Sequence, residues 1–174
     1  MHPLKGIALK ICSVITFITM ASLIKATAQH VPAGQAVFFR SVFALPVILA
    51  WLAVRGDLRT GLKAASPMGH FWRGFVGTAA MGLGFAGLGL LPLPEVTAIG
   101  YAAPLMTVIL AAMFLGEQVR LFRLGAVALG MVGVLIVLGP RLSAFSGDTV
   151  EKTAALGAML VLTGALCAAL AQIY

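Results

Sequence analysis

The chain has 174 residues, 61% of them hydrophobic and 10% charged, with a mean hydropathy of +1.07. So few charges cannot cover the surface of a water-soluble domain of this length, and that class is excluded. Twelve Lys and Arg against five Asp and Glu give a net charge of +7, but the charges cluster between long apolar runs, so the excess reads as a membrane-orientation signal and no nucleic-acid partner is expected.

Six apolar runs follow one another, at about 6–27, 35–54, 71–91, 96–115, 124–138 and 153–174. Each is near the ~20 residues that cross a hydrocarbon core, the fifth being the shortest. Backbone groups there must bond among themselves, so all six are predicted helices and the fold class is an all-α polytopic transmembrane bundle in the lipid bilayer. The first run follows Lys5 and Lys10 and ends near Ala26-Thr27-Ala28, a layout it shares with secretory signals. Its length, Lys25 in the would-be cleavage region and five further runs favour an uncleaved signal-anchor helix.

Loop charge sets the orientation. Lys5 and Lys10 precede span 1; Arg55, Arg59, Lys63 and Arg73 surround the span 2–3 loop against Asp57; Arg120 and Arg123 lie between spans 4 and 5. The alternate loops lack such an excess, so the N-terminus is expected in the cytoplasm. Trp51 and Trp72 fall at the predicted inner ends of spans 2 and 3, where interfacial aromatics belong. Short loops predict that sequential helices are antiparallel neighbours. Thr78, Gly82 and Ala86 in span 3, and Ala126 and Gly130 in span 5, have the small-xxx-small spacing that lets helices approach. Cys12 and Cys167 fall inside spans without metal-type spacing and read as small buried side chains.

Span 4 concentrates polarity. Pro104 near its middle denies the Gly100 carbonyl its helical partner. Thr97, Tyr101, Pro104 and Val108 share one stripe. Two readings stand: the stripe lines a substrate cavity, or the helix is kinked and its tyrosine bonds to a neighbouring helix. Arg40 lies about five residues inside span 2, where a charge costs on the order of 3 kcal/mol. Its expected partner is Glu95, at the outer start of span 4, for which Lys25 competes. These three form either a charged vestibule or a structural ion pair with a snorkelling arginine. Glu117 and Arg120, at the inner end of span 4, read as a structural cap or a gate, and Lys10 as a snorkelling side chain. The hydroxyls of Ser13, Thr16, Thr19 and Ser22 in span 1 are expected to bond across helices or to face a cavity. Catalytic and metal signatures do not appear, and His2, His30 and His70 lie in loops or at the terminus. No enzyme activity, metal or cofactor is expected.

Leu93-Pro94, Thr97-Ala98, Tyr101, Ala103-Pro104-Leu105, Ala111-Ala112 and Phe114-Leu115-Gly116-Glu117 run into Arg123, Gly125, Gly130, Gly133-Val134 and Leu138. With Arg40-Ser41, Lys25 and Pro32 upstream, this pattern resembles the EamA-type members of the drug/metabolite transporter superfamily over nearly the whole chain. The resemblance implies a ten-helix carrier of two inverted five-helix halves, with a cavity between them walled by the third and fourth helices of each. It also implies movement of a small solute by alternating access across the cell (inner) membrane of a bacterium. Residues 6–138 then form one complete repeat, and 153–174, with Gly157 and Gly164, form the first helix of a second, incomplete one. Two explanations remain open: a truncated chain whose second half is missing, or a half-size protein that acts as a homodimer or with a partner. The competing function class is a non-transporting membrane subunit.

Overall fold

The computed structural model describes residues 3–56, 66–115, 120–143 and 149–173, all but the connecting turns helical. The helices are α1 (Pro3–Thr27), α2 (Ala33–Arg55), α3 (Pro67–Leu90), α4 (Leu93–Gly100), α5 (Ala102–Leu115), α6 (Leu121–Ser143) and α7 (Thr149–Ile173). By length and composition, Leu4–Thr27, Ala33–Arg55, Leu93–Phe114, Leu121–Arg141 and Thr149–Ile173 can each cross a membrane. The predicted third span is not among them: α3 carries His70, Arg73 and seven glycines, which together lower its hydropathy. Its 24 residues nevertheless run antiparallel to α7 along much of their length.

The ends of these helices follow from local chemistry. Gly56 closes α2 at φ +71°, a left-handed conformation glycine adopts without strain, and its N–H reaches the carbonyls of Leu52 and Ala53. Leu91 precedes Pro92 and is forced into extended backbone, which stops α3. Pro92 then offers its carbonyl to the N–H groups of Glu95 and Val96 and starts α4 immediately. Pro32 starts α2 in the same way. The fourth span is divided at Tyr101, three residues before Pro104. Arg120 starts α6 by accepting from the N–H groups of Arg123 and Leu124.

The centre of the bundle is α7. It lies against α3 most extensively, and also touches α4, α5 and α6. Ile99 of α4, Leu138 of α6, Leu91, and Ala158 and Val161 of α7 form one buried cluster; Ala102, Val134 and Ala165 form a second. The predicted sixth span is seated on the third, fourth and fifth spans. By contrast α1 and α2 are peripheral, α2 burying only Val37. They meet α3 through Met20, Ala21, Ile24, Val37, Phe85 and Leu88, and they do not run side by side as short-loop neighbours were expected to. Cys12, on the open face of α1, is exposed, and Cys167 is half-buried, so neither is the fully buried side chain expected. Exposed apolar area carries no penalty in hydrocarbon, so α1 and α2 need few partners.

The close approach uses other small residues than the predicted stripe. Thr78 is exposed and Gly82 faces open space. The tight face is offset by a residue or two: a Cβ on Gly164 would stand 3.0 Å from the Ala80 carbonyl oxygen and 3.2 Å from Leu83 Cβ. One on Gly157 would stand 2.8 Å from Leu90 Cβ, and one on Gly87 would strike Val161. Gly130 of α6 does admit Leu105, as its spacing suggested. Gly164→Leu should unseat α7 and cost about 1–3 kcal/mol of bundle stability, whereas Gly82→Ala should change it by less than about 0.5 kcal/mol. Reversible unfolding of the two variants in mixed micelles measures both.

Candidate functional site

Polar groups gather at two levels of α4. Its first turn holds Glu95 at the end of the bundle away from the N-terminus, here called the distal end. Its last residue, Gly100, abuts the break at Tyr101, about 9 Å deeper than Glu95 at 1.5 Å per residue.

At the distal end Glu95 is paired with Arg141: Nε donates to Oε2 at 2.9 Å and Nη2 to Oε1 at 2.5 Å. The fork is part-buried, the side chains being 34% and 25% exposed for Arg141 and Glu95. This partner differs from the predicted ones. Hydropathy ends the fifth span at Leu138, but α6 continues through Pro140 to Ser143 and swings Arg141 over the start of α4. Lys25 caps a helix end instead: its Nζ donates to the Leu91 carbonyl at 2.8 Å. A cation there suits the carbonyl-rich C-terminus of α3. Arg40 meets no carboxylate among the described residues. It is exposed, in the seam between α2 and α3, with Nη1 against Met81 Sδ. Lys25, Arg40 and Glu95 thus do not form one cluster. The α3–α4 corner instead receives one cation from α1 and one from α6.

At the break, Thr97, Tyr101 and Pro104 are all exposed, Tyr101 to 65%, and Val108 is half-buried. On the opposite side of the same span, Ile99 and Ala102 are fully buried against α6 and α7. The stripe therefore faces away from the helices that hold α4 in place. Thr97 Oγ1 donates back to the Leu93 carbonyl at 2.6 Å. The Tyr101 hydroxyl bonds to no neighbouring helix among the described residues. Tyr101 itself is helical in φ and ψ (−64°, −10°), and its N–H bonds to the Thr97 carbonyl at 3.2 Å. The proline divides the span by removing one ladder bond, with no strained residue.

Of the span 1 hydroxyls, Thr16 donates to the Cys12 carbonyl and Thr19 to the Ile15 carbonyl, each along its own helix, and both line an open recess of about 440 Å³ on α1 with Ile15, Met20, Leu23 and Ile24. A second recess, of about 290 Å³, opens where α1, α2 and α3 meet near Thr27, Ala36 and Ala86. Its polar lining is slight, and it is the packing gap left by the short α1–α2 turn. Glu117 lies outside the described residues; Arg120 is exposed at the start of α6. At the end of the bundle near the N-terminus, the Arg55 guanidinium lies 5.0 Å from the centre of the Trp51 ring, which supports the reading of that aromatic as interfacial.

The described residues thus form a polytopic helical bundle with one proline-broken span, exposed polar groups at the break and a charged corner above it. Residues 4–139 match the EamA-like transporter family, and the chain belongs to it. It is 32% identical over 114 residues to an S-adenosylmethionine uptake transporter of Rickettsia bellii, covering 66% of this chain and 38% of that protein. The similarly named protein of Rickettsia prowazekii is 27% identical over 145 residues, covering 83% and 49%. The pseudopaline exporter CntI of Pseudomonas aeruginosa is 26% identical over 135 residues, covering 78% and 46%. The chain thus spans less than half the length of each of these relatives. No solved structure matches it.

The Glu95–Arg141 fork gives a direct test of the corner. A double-mutant cycle with Glu95→Gln and Arg141→Gln should show a coupling of about 1 kcal/mol, above the ~0.5 kcal/mol of an open surface pair because both hydrogen bonds are charge-assisted. The same cycle with Arg40→Gln in place of Arg141→Gln should show none.

Proposed function

We propose that this chain forms the first half of a carrier that moves a small organic metabolite across the inner membrane of a bacterial cell by alternating access. The observation that carries the reading is the exposure of Thr97, Tyr101 and Pro104 together at the broken span, on the side left uncovered by α6 and α7. In hydrocarbon, a polar stripe is tolerated where it lines a wet cavity or meets protein. A second half, facing that side, supplies the other wall. Relatives named for S-adenosylmethionine uptake and pseudopaline export support a small organic cargo and leave the direction open.

The N-terminus lies in the cytoplasm in this reading. Lys5, Lys10, Arg55, Arg73, Arg120 and Arg123 all sit toward the end of the bundle that carries it. The Glu95–Arg141 fork then closes the outer end of the half, and Glu117 with Arg120 belongs to the inner end. Arg40 serves as a snorkelling residue at the α2–α3 seam.

The reading is tested by transport of labelled metabolites in cells expressing the intact protein. Thr97→Val, Tyr101→Leu and Pro104→Ala should each lower uptake or efflux about tenfold, the equivalent of ~1.4 kcal/mol, at equal membrane abundance. Unchanged transport in all three would remove the stripe from the pathway.

A further inference from the structure

We propose that the wedge between α2 and α3, at the end of the bundle near the N-terminus, holds an anionic phospholipid, with an acyl chain between the two helices and the phosphate on the Arg55 guanidinium. The inference goes beyond the carrier reading and does not depend on it.

The two helices meet at one end only. Val37 of α2 packs with Phe85 and Leu88 of α3, Ala33 and Ala36 join them, and Arg40 reaches Met81. Past that point α2 is exposed at every residue from Ser41 to Arg55 except the half-buried Leu52. The same parting shows on α3. Gly74 and Gly77 precede Met81 by seven and four residues, on the face that meets α2. A Cβ on either would meet nothing within 4 Å, so α2 has left that face. From Arg40 to Arg55 α2 runs about 22 Å at 1.5 Å per residue, more than the ~15 Å of hydrocarbon in one leaflet. Ala44, Ile48 and Trp51 follow Val37 along one side of α2, so the wall of the wedge is apolar.

The mouth of the wedge is cationic. Arg55 lies five full turns beyond Val37 and shares its side of α2, with its guanidinium 5.0 Å from the centre of the Trp51 ring. On α3, His70 continues the face of Gly74 and Gly77 to the mouth, and Arg73 stands at the same end. Neither arginine pairs with a carboxylate among the described residues, whose acids, Glu95 and Glu151, both stand at the distal end. An unmatched guanidinium above an apolar wedge is complementary to an anion that carries a chain. A phosphate takes two N–H bonds from one guanidinium. An anionic phospholipid supplies that phosphate and the chain; a zwitterionic one brings its own cation beside the phosphate, and a soluble phosphate ester brings no chain.

The chain has two tryptophans, so the wedge is readable by fluorescence. Trp51 lies in it, while Trp72, nine residues before Met81, lies on the opposite side of α3 and serves as the control. Trp72→Phe and Trp51→Phe leave one ring each, and both proteins are reconstituted in phosphatidylcholine bilayers doped with phosphatidylglycerol or phosphatidylcholine of brominated chains. Quenching of Trp51 should show phosphatidylglycerol enriched about fivefold over phosphatidylcholine, and quenching of Trp72 less than about twofold. Arg55→Gln should remove the preference at Trp51. Gly77→Leu, which fills open space, should reduce Trp51 quenching by both lipids. Both positions are free of packing, so circular dichroism and melting should match the parent protein, which is checked alongside. Glycerol 3-phosphate should displace nothing. Equal enrichment of the two lipids at Trp51, an equal preference at Trp72, a preference that survives Arg55→Gln, unchanged quenching in Gly77→Leu, or displacement by glycerol 3-phosphate would each overturn the inference.

Discussion

The seam between α3 and α7 is the contact on which the rest of the bundle depends. Hydrocarbon gives two apolar helices no reason to associate, so they must fit each other closely enough to displace lipid. Gly157 and Gly164 on α7, with Gly87 and the Ala80–Gly84 turn on α3, allow backbone to meet backbone there. Once α7 is seated, its other sides offer Ala158, Val161 and Ala165 to α4, α5 and α6. The position of the broken span, and hence the direction in which its polar stripe points, follows from that seat. α1 and α2 contribute little to it and lean on the far side of α3.

The two ends of α4 have different tasks. Its first turn is anchored by charge, through Glu95 to α6, and the corner before it through the Leu91 carbonyl to α1. Its last turn is anchored by packing on one side and left open on the other. Packing of Ile99 and Ala102 on the far side of the helix supports this turn, while the Tyr101 ring stays exposed.

Much of this was legible in the residues because lipid imposes strong rules. Long apolar runs located the helices, and Pro104 marked the break. The stripe of Thr97, Tyr101 and Pro104 followed from helical spacing alone, and the structure exposes all three. What could not be read were matters of rotation and overrun. Helical period places Gly82 and Ala86 on a stripe but cannot say that the neighbouring Leu83–Gly84–Gly87 face is the one α7 touches. Hydropathy ends a span where apolarity ends, yet α6 runs on through Pro140, whose ring costs one ladder bond near a helix terminus that has few left to lose. Arg141 therefore reads as a loop residue, and Arg40, which lies inside a span, as the expected partner of Glu95. Thr16 and Thr19 of α1 find acceptors four residues back in their own helix, a choice that needs no neighbour and leaves no trace in spacing.

The Glu95–Arg141 fork also bears on how the bundle is made. The two residues are 46 positions apart, so the carboxylate emerges from the ribosome well before its counter-ion. The broken span has to enter the membrane with an acid at its leading corner and nothing yet to neutralise it. Its place in the first turn of α4 eases that wait, because free N–H groups at a helix start favour negative charge. Insertion of α6 then finishes the corner, and the order of synthesis becomes the order in which the top of this half is closed.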